Sequence, residues 1–189
     1  MCGRYYVDPD TENEIRKVIE VVENKLNMSQ GDVFPTQQAV VLTGSGHGIH
    51  AEKMIWGMPR YNKSGLVINA RAETVFEKQL FRDTMGSRRC IIPAAGFYEW
   101  NWQKEKFRFW RDGQPVLYLA GCYDLENRFV ILTTDANSSV SKIHDRMPVI
   151  LEPDELQVWF GRTSDYVRLL HKAQPFLQSG SDYHQLSLF

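Results

Sequence analysis

No stretch of this 189-residue chain is apolar for long enough to cross a bilayer. Runs such as Val116 to Tyr123 fall far short of the roughly 20 residues that a spanning helix needs. Cysteine is scarce: Cys2, Cys90 and Cys122 are odd in number, widely spaced and include no C-x-x-C pair. That argues against both a disulfide framework and a structural zinc site. No His/Cys/Asp cluster has ligand spacing, so neither a metal nor another cofactor is expected. Charge of one sign is lacking too, since the formal net charge is −1, and this by itself gives no general attraction for nucleic acid. No basic-then-apolar leader, internal repeat, low-complexity tract or inter-domain linker is apparent. What is present, 43% hydrophobic and 24% charged residues, suits one soluble domain with a substantial core, in a reducing cytoplasm.

Periodicity predicts the elements. Asp8-Pro9 reads as an N-cap followed by a first-turn proline, and Ile15, Val18, Ile19, Val22 and Leu26 follow at helical spacing. Strands are expected at Gln38 to Leu42 and Ile49 to Trp56 around a glycine-rich turn, and a short buried one at Leu66 to Asn69. Thr74 to Met85 reads as a helix. From Cys90 the pattern is a meander of strands, Cys90 to Ile92, Phe97 to Trp102, Phe107 to Arg111, Val116 to Tyr123 and Phe129 to Thr133, with Asp112-Gly113 as a tight hairpin turn. Helices are expected again at Pro153 to Phe160 and Ser164 to Lys172. The fold class is therefore α+β, a largely antiparallel, barrel-like sheet flanked by helices. The domain is taken as residues 1–177, with a tail at 178–189.

The charges are unevenly distributed. Met1 to Pro35 carries seven acidic residues against four basic, whereas Arg88 to Arg111 carries six basic against two acidic. Interleaved with that basic block are Phe97, Tyr98, Trp100, Trp102, Phe107, Phe109 and Trp110, the mixture that single-strand binding uses for backbone attraction and base stacking. A strand-rich segment with its charges on a solvated face would look the same.

Met1-Cys2-Gly3-Arg4 is a candidate reactive terminus. Removal of Met1 would leave Cys2 with an α-amine and a thiol on adjacent carbons, groups that titrate near ~8 and ~8.5 in model peptides. Such a 1,2-aminothiol captures aldehydes: the amine forms a Schiff base and the thiol closes a thiazolidine, an intramolecular step with effective molarities of roughly 10⁵ M or more. Three other stretches carry polar residues that a plain sheet does not need. Asn69 and Arg71, two apart, share one side of a strand end, where Asn69 can bond an amine or carbonyl and Arg71 a phosphate. Glu99, bracketed by aromatics in Gly96-Phe97-Tyr98-Glu99-Trp100, is a candidate proton shuttle with a raised pKa. His144, in Ile143-His144-Asp145-Arg146-Met147-Pro148, can serve as acid, base or donor to a sugar oxygen. The first two stretches also have a plain structural reading: a strand-to-helix turn with an Asn cap for the first, an outward carboxylate for the second.

Together these motifs, with Phe34-Pro35-Thr36 and Ile68-Asn69-Ala70-Arg71-Ala72-Glu73-Thr74, resemble the SOS-response-associated peptidase (SRAP) family of abasic-site-processing proteins. The match covers most of the chain in the family's order. It implies that Cys2 forms a thiazolidine cross-link with the ring-opened sugar of an abasic site in single-stranded DNA, shielding the lesion during replication and the SOS response. It further implies Asn69 on the α-amine, Glu99 as proton shuttle and His144 near the sugar hydroxyl, with Arg4, Arg71 and Arg146 on phosphates and Trp56 and Pro35 as further DNA contacts. Autopeptidase removal of Met1, AP-lyase-like activity and a bacterial or phage source at the replication fork belong to the same expectation. The chain departs from the family at Gly31-Asp32-Val33-Phe34-Pro35, which lacks the usual aromatic-Asn pair, and in the short loop Gly57 to Asn62.

Two other readings remain open. An N-terminal-nucleophile glutamine amidotransferase also begins Met-Cys-Gly and uses Cys2 for acyl transfer. A non-catalytic DNA- or clamp-binding module would leave Cys2 inert. The terminal Gln185-Leu186-Ser187-Leu188-Phe189 resembles the peptide that docks on the replicative sliding clamp, with Gln185 setting register and Leu186, Leu188 and Phe189 filling an apolar pocket; 178–182 reads as its linker.

Overall fold

The computed structural model describes residues 2–19, 28–45, 48–60, 64–161 and 164–181. In chain order the strands are β1 (Arg4–Val7), β2 (Gly31–Val33), β3 (Gln38–Ser45), β4 (Gly48–Trp56), β5 (Met58–Pro59), β6 (Leu66–Val67), β7 (Asn69–Arg71), β8 (Arg89–Ala94), β9 (Gly96–Trp100), β10 (Lys106–Trp110), β11 (Leu117–Tyr123), β12 (Arg128–Asp135), β13 (Arg146–Pro148), β14 (Ile150–Leu151) and β15 (Gln178–Ser181). The helices are α1 (Pro9–Val18), α2 (Gln79–Ser87), α3 (Leu156–Phe160) and α4 (Tyr166–Leu169).

Helix α1 starts as its sequence dictates. The Asp8 carboxylate accepts from the Thr11 backbone N–H at 2.8 Å, Pro9 occupies the first turn, and Ile15 faces inward. Val22 and Leu26 of the expected helix lie outside the described residues.

Strands dominate and form two main sheets. In the larger, β12 pairs β4, β4 pairs β3, β3 pairs β8, β8 pairs β11 and β11 returns to β12, so the strands close a ring. Inside it sit long apolar side chains such as Met54, Ile91 and Phe129, none of them more than 1% exposed. The smaller sheet runs β15-β10-β9-β1-β2. This is the expected α+β arrangement with a mainly antiparallel sheet.

Strand β12 sets the positions of two polar segments. Its beginning pairs β4 in parallel, Arg128↔Ile55 and Phe129↔Trp56, and its continuation pairs β7 in parallel, Ile131↔Asn69 to Thr133↔Arg71. Its last residues pair β13 antiparallel, Thr133↔Pro148 to Asp135↔Arg146. One strand thus holds the Asn69 and Arg146 segments in fixed register.

Several boundaries differ from expectation. Asp112-Gly113 does make a tight turn, with Gly113 at φ 72° and an Arg111↔Gln114 bridge, but it does not join a hairpin. Strand β10 pairs β9 and β15 while β11 belongs to the ring, so the turn moves the chain between sheets. The expected helix from Thr74 splits into a 3-10 turn, Ala72–Thr74, and α2, because Lys78 is extended at ψ 121°. Gln178–Ser181 is not a linker but an edge strand on β10. Gln185, Leu186, Leu188 and Phe189 lie outside the described residues. Among the described residues no helix is long and apolar enough to cross a membrane.

Candidate functional site

Strand alternation delivers the first pair of groups. On β9, Tyr98 and Trp100 face outward and Glu99 inward, where it is 2% exposed. Adjacent β1 pairs β9 with Arg4 opposite Tyr98, which brings Cys2, just upstream, into the same interior. Cys2 is wholly buried, and its thiol contacts the Arg4 carbonyl at 3.7 Å.

Asn69, at the start of β7, donates from Nδ2 to the Cys2 carbonyl at 2.9 Å. That bond pins the chain's first turn to β12 through β7. Asn69 Oδ1 is buried and has no hydrogen-bond partner among the described residues. An orphaned buried acceptor is costly, roughly 1–3 kcal/mol, and marks a place where a donor is to be supplied.

His144 approaches from the loop before β13, with Nε2 3.9 Å from Glu99 Oε2. Its Nδ1 accepts the Arg146 backbone N–H at 3.0 Å. Asp145 Oδ1 lies equally close to Nδ1, but that contact is an ion pair only for an imidazolium, and burial lowers the His144 pKa. The backbone bond therefore sets the tautomer: Nδ1 is the acceptor and the proton sits on Nε2, on the side of Glu99.

Burial also pushes Glu99 up, to about 7, with Asp145 adding to the effect. It holds the Cys2 thiol far above the ordinary thiol range, and the Glu99 charge pushes the same way. A carboxyl with both protonation states populated near neutrality beside a thiol that stays protonated is an arrangement for shuttling protons.

The expected phosphate contacts sort into two groups. Arg71 is exposed and Arg4 is half-buried, its guanidinium over the Phe34 ring at 4.4 Å. Arg71 also borders a cavity of about 330 Å³ that Asn69, Val67, Lys78 and Phe81 help to line. Arg146 is different, and its assignment is corrected. The guanidinium bonds both oxygens of Glu73 at 2.8 Å, Asp135 at 2.5 Å and the Thr133 carbonyl at 2.7 Å. With 6% exposure and two carboxylates in place, it ties β13 to the turn after β7 and offers no free cation. Trp56 is corrected as well: it is fully buried, donates Nε1–H to the Ile68 carbonyl at 2.9 Å and stacks on Phe129, so it belongs to the core and not to a DNA surface. Pro35 is half-buried beside exposed Phe34.

The motif reading missed Glu73 and Asp135 as anchors of Arg146. Glu73 and Asp145 stood inside the motifs, but which group each would face depends on β12 pairing. The basic block also divides: Arg89 is buried and satisfied by the carbonyls of Met85, Trp159 and Gly161, so it supports the fold. Among the described residues no group of three His, Cys, Asp or Glu is placed to hold a metal.

The fold is also found in known proteins. The family model described as SOS response associated peptidase (SRAP) matches residues 1–187, and the chain belongs to this family. It is similar to abasic site processing protein YoqW of Bacillus subtilis, 31% identical over 99% of this chain and 92% of that protein. Abasic site processing protein YedK of Escherichia coli is 27% identical, over 84% of this chain and 79% of its own. Among solved structures, a protein from Bacteroides thetaiotaomicron superposes with a TM-score of 0.75 at 25% identity, covering 95% of this chain and 91% of that one. A phage-related protein from Bordetella bronchiseptica gives 0.79 at 21% identity, with 95% and 93% covered, and bears on the fold alone.

Proposed function

We propose that the chain processes abasic sites in single-stranded DNA by covalent capture on Cys2. The observation that carries this reading is the meeting of buried Cys2, Asn69 and Glu99 with half-buried His144, from four separate stretches. With Met1 removed, the α-amine of Cys2 can donate a hydrogen bond to the orphaned Asn69 Oδ1, whose Nδ2 already holds the carbonyl of the same residue, and that bond would aim the lone pair. The amine adds to the C1′ aldehyde of the ring-opened sugar. Protonated Glu99 gives its proton to the departing hydroxyl, so water leaves and an imine forms. That imine is protonated, because its nitrogen retains one hydrogen when the hydroxyl leaves. The Cys2 sulfur then adds to its carbon while the thiol proton passes to the Glu99 carboxylate, and the C=N electrons return to the nitrogen, which keeps that hydrogen. The net change is aldehyde plus aminothiol to thiazolidine plus water.

The raised thiol pKa supports this order, since a buried neutral thiol leaves the first attack to the amine. Neutral His144 presents Nε2–H to a sugar hydroxyl, and Arg4 and Arg71 are the cations available to flanking phosphates. An imine that escapes the thiol can instead lose its 3′ phosphate by β-elimination, an AP-lyase-like outcome. Removal of Met1 is the simplest peptidase step consistent with the family description.

Incubation with an abasic single strand, followed by denaturing electrophoresis and intact mass, tests the proposal. The expected adduct weighs the sum of protein and DNA less one water, and it is absent for Cys2→Ala and for protein that retains Met1. Undiminished stable cross-linking by a Met1-bearing form, confirmed by mass, would overturn it.

A further inference from the structure

The outward face of the smaller sheet carries a continuous ladder of rings and cations that capture chemistry does not use. Arg4 on β1 lies 5.8 Å from the Tyr98 ring and 5.3 Å from Trp100, both on β9. Lys106 on β10 lies 4.9 Å from Tyr98, and Tyr98 packs 5.5 Å from Tyr6. Arg108 continues the row, 5.7 Å from Tyr6 and 4.7 Å from Trp110. The order follows from register, with Arg4 and Arg108 on either side of Tyr98 and Lys106 opposite Trp100.

Two glycines hold this surface in place. A Cβ at Gly96 would come within 2.6 Å of the Tyr6 hydroxyl, and one at Gly180 within 3.2 Å of the Trp110 ring. Each ring lies over bare backbone, a packing known to compensate strand glycines, and has the Arg108 guanidinium over it. At the tip of the β9–β10 connection Trp102 is 87% exposed. Three acids are close: Asp32, opposite Tyr6, lies 3.4 Å from Arg4 and bonds the Tyr98 side chain, Asp8 stands near Tyr6, and Asp112 accepts from Trp110 Nε1 at 2.8 Å. Arg108, in the middle, is exposed and makes no ion pair among the described residues.

We infer that this face is a second binding surface, a track on which single-stranded nucleic acid flanking the lesion lies with bases on the rings and phosphates on Arg108 and Lys106. Arg4 joins it to the reactive terminus, two residues from Cys2, and β9 presents Glu99 on one side and Tyr98 and Trp100 on the other. Rings alternating with cations in a plane match the repeat of base and phosphate, and stacking needs no particular sequence. A partner protein of opposite charge would match the cations but not the row of rings alternating with them. The inference deepens the proposed function by extending the footprint beyond the captured sugar, but its test does not depend on capture.

Binding is measured by anisotropy with undamaged single strands of about 5 and about 20 nucleotides, which bracket the usual footprint of such surfaces. Lengthening the strand should strengthen binding to the intact protein, and stacking should quench tryptophan fluorescence. Trp110→Ala should reduce the gain on lengthening by about tenfold. Arg108→Glu should lower the slope of log affinity against log salt by at least ~0.7, the value of one phosphate contact, and Arg108→Lys should restore it. Because Arg108 is exposed, its variants report even where Trp110→Ala fails to fold. Wild-type length dependence and salt slope in Arg108→Glu overturn the track, as does unquenched fluorescence or a DNA-free dimer that Arg108→Glu dissociates. Loss of cross-linking with the length dependence intact would count against the capture proposal instead.

Discussion

Glu99→Gln should make the protein more stable and less active at once. In the fold, burial keeps a proton on Glu99 up to about 7, whereas the unfolded chain releases it near 4.5. Between those values the folded state binds more protons than the unfolded one, so stability falls as pH rises through the interval and is lowest above it. At about 1.4 kcal/mol per pH unit, the interval amounts to roughly 3 kcal/mol of stability given up by pH 9. Glutamine keeps the shape without the charge. For a chain of this size each kcal/mol shifts the melting temperature by about 2–4 °C, so the variant should melt roughly 6–12 °C above the parent at pH 9 and close to it at pH 5. Denaturant and thermal melts of the Met1-free protein across that range measure the difference. Cross-linking rates on the same samples should fall by ~10²–10⁴, as for loss of a general acid–base group. A carboxylate that only stabilised the fold would lower stability when replaced. Parallel pH–stability curves for parent and variant would refute the reasoning.

Trp56→Phe should cost about 1–2 kcal/mol by removing the bond to the Ile68 carbonyl, with unchanged affinity for single strands; weaker DNA binding at full folding would return Trp56 to the DNA surface. Arg146→Ala should destabilise by about 1–3 kcal/mol in denaturant melts, since it releases Glu73, Asp135 and the Thr133 carbonyl together. Burial lowers the His144 pKa, so His144→Gln should leave the affinity for undamaged strands as it is while slowing cross-linking, and the slowing should not depend on pH above the ordinary histidine range. Arg71→Ala should reduce the salt dependence of binding by ~0.7 in slope, as for one lost phosphate contact.

Local signals were legible wherever one residue decided the backbone. Asp8-Pro9 marked the start of α1, whereas the alternation of Phe97 to Trp100 singled out Glu99 but left its direction open until β9 put it inward between outward rings. The break before α2 was not legible, because Lys78 is extended with neither Gly nor Pro to announce it. Pairing was less accessible still. Asp112-Gly113 looks the same whether it closes a hairpin or passes between sheets, since the outcome depends on strands far away in sequence. The candidate site residues could be singled out by chemistry, Cys2 by its position and Glu99 by its neighbours. Arg146 could not be sorted from Arg71 in this way. Both are arginines in polar motifs, and only the register of β12 with β7 and β13 puts Arg146 against Glu73 and leaves Arg71 exposed.

Strand β12 closes the ring with its first half and aligns β7 and β13 with its second. Asn69 and Arg71 therefore stand two strand steps apart, about 6.6 Å, with no loop between them. Of the candidate cluster, Asn69 is held by the register of the ring strand itself, so on heating it should not loosen ahead of the ring. Capture and tertiary structure should be lost in a single cooperative transition, and the amides of Ile131 to Thr133 should exchange with solvent only when the whole chain unfolds.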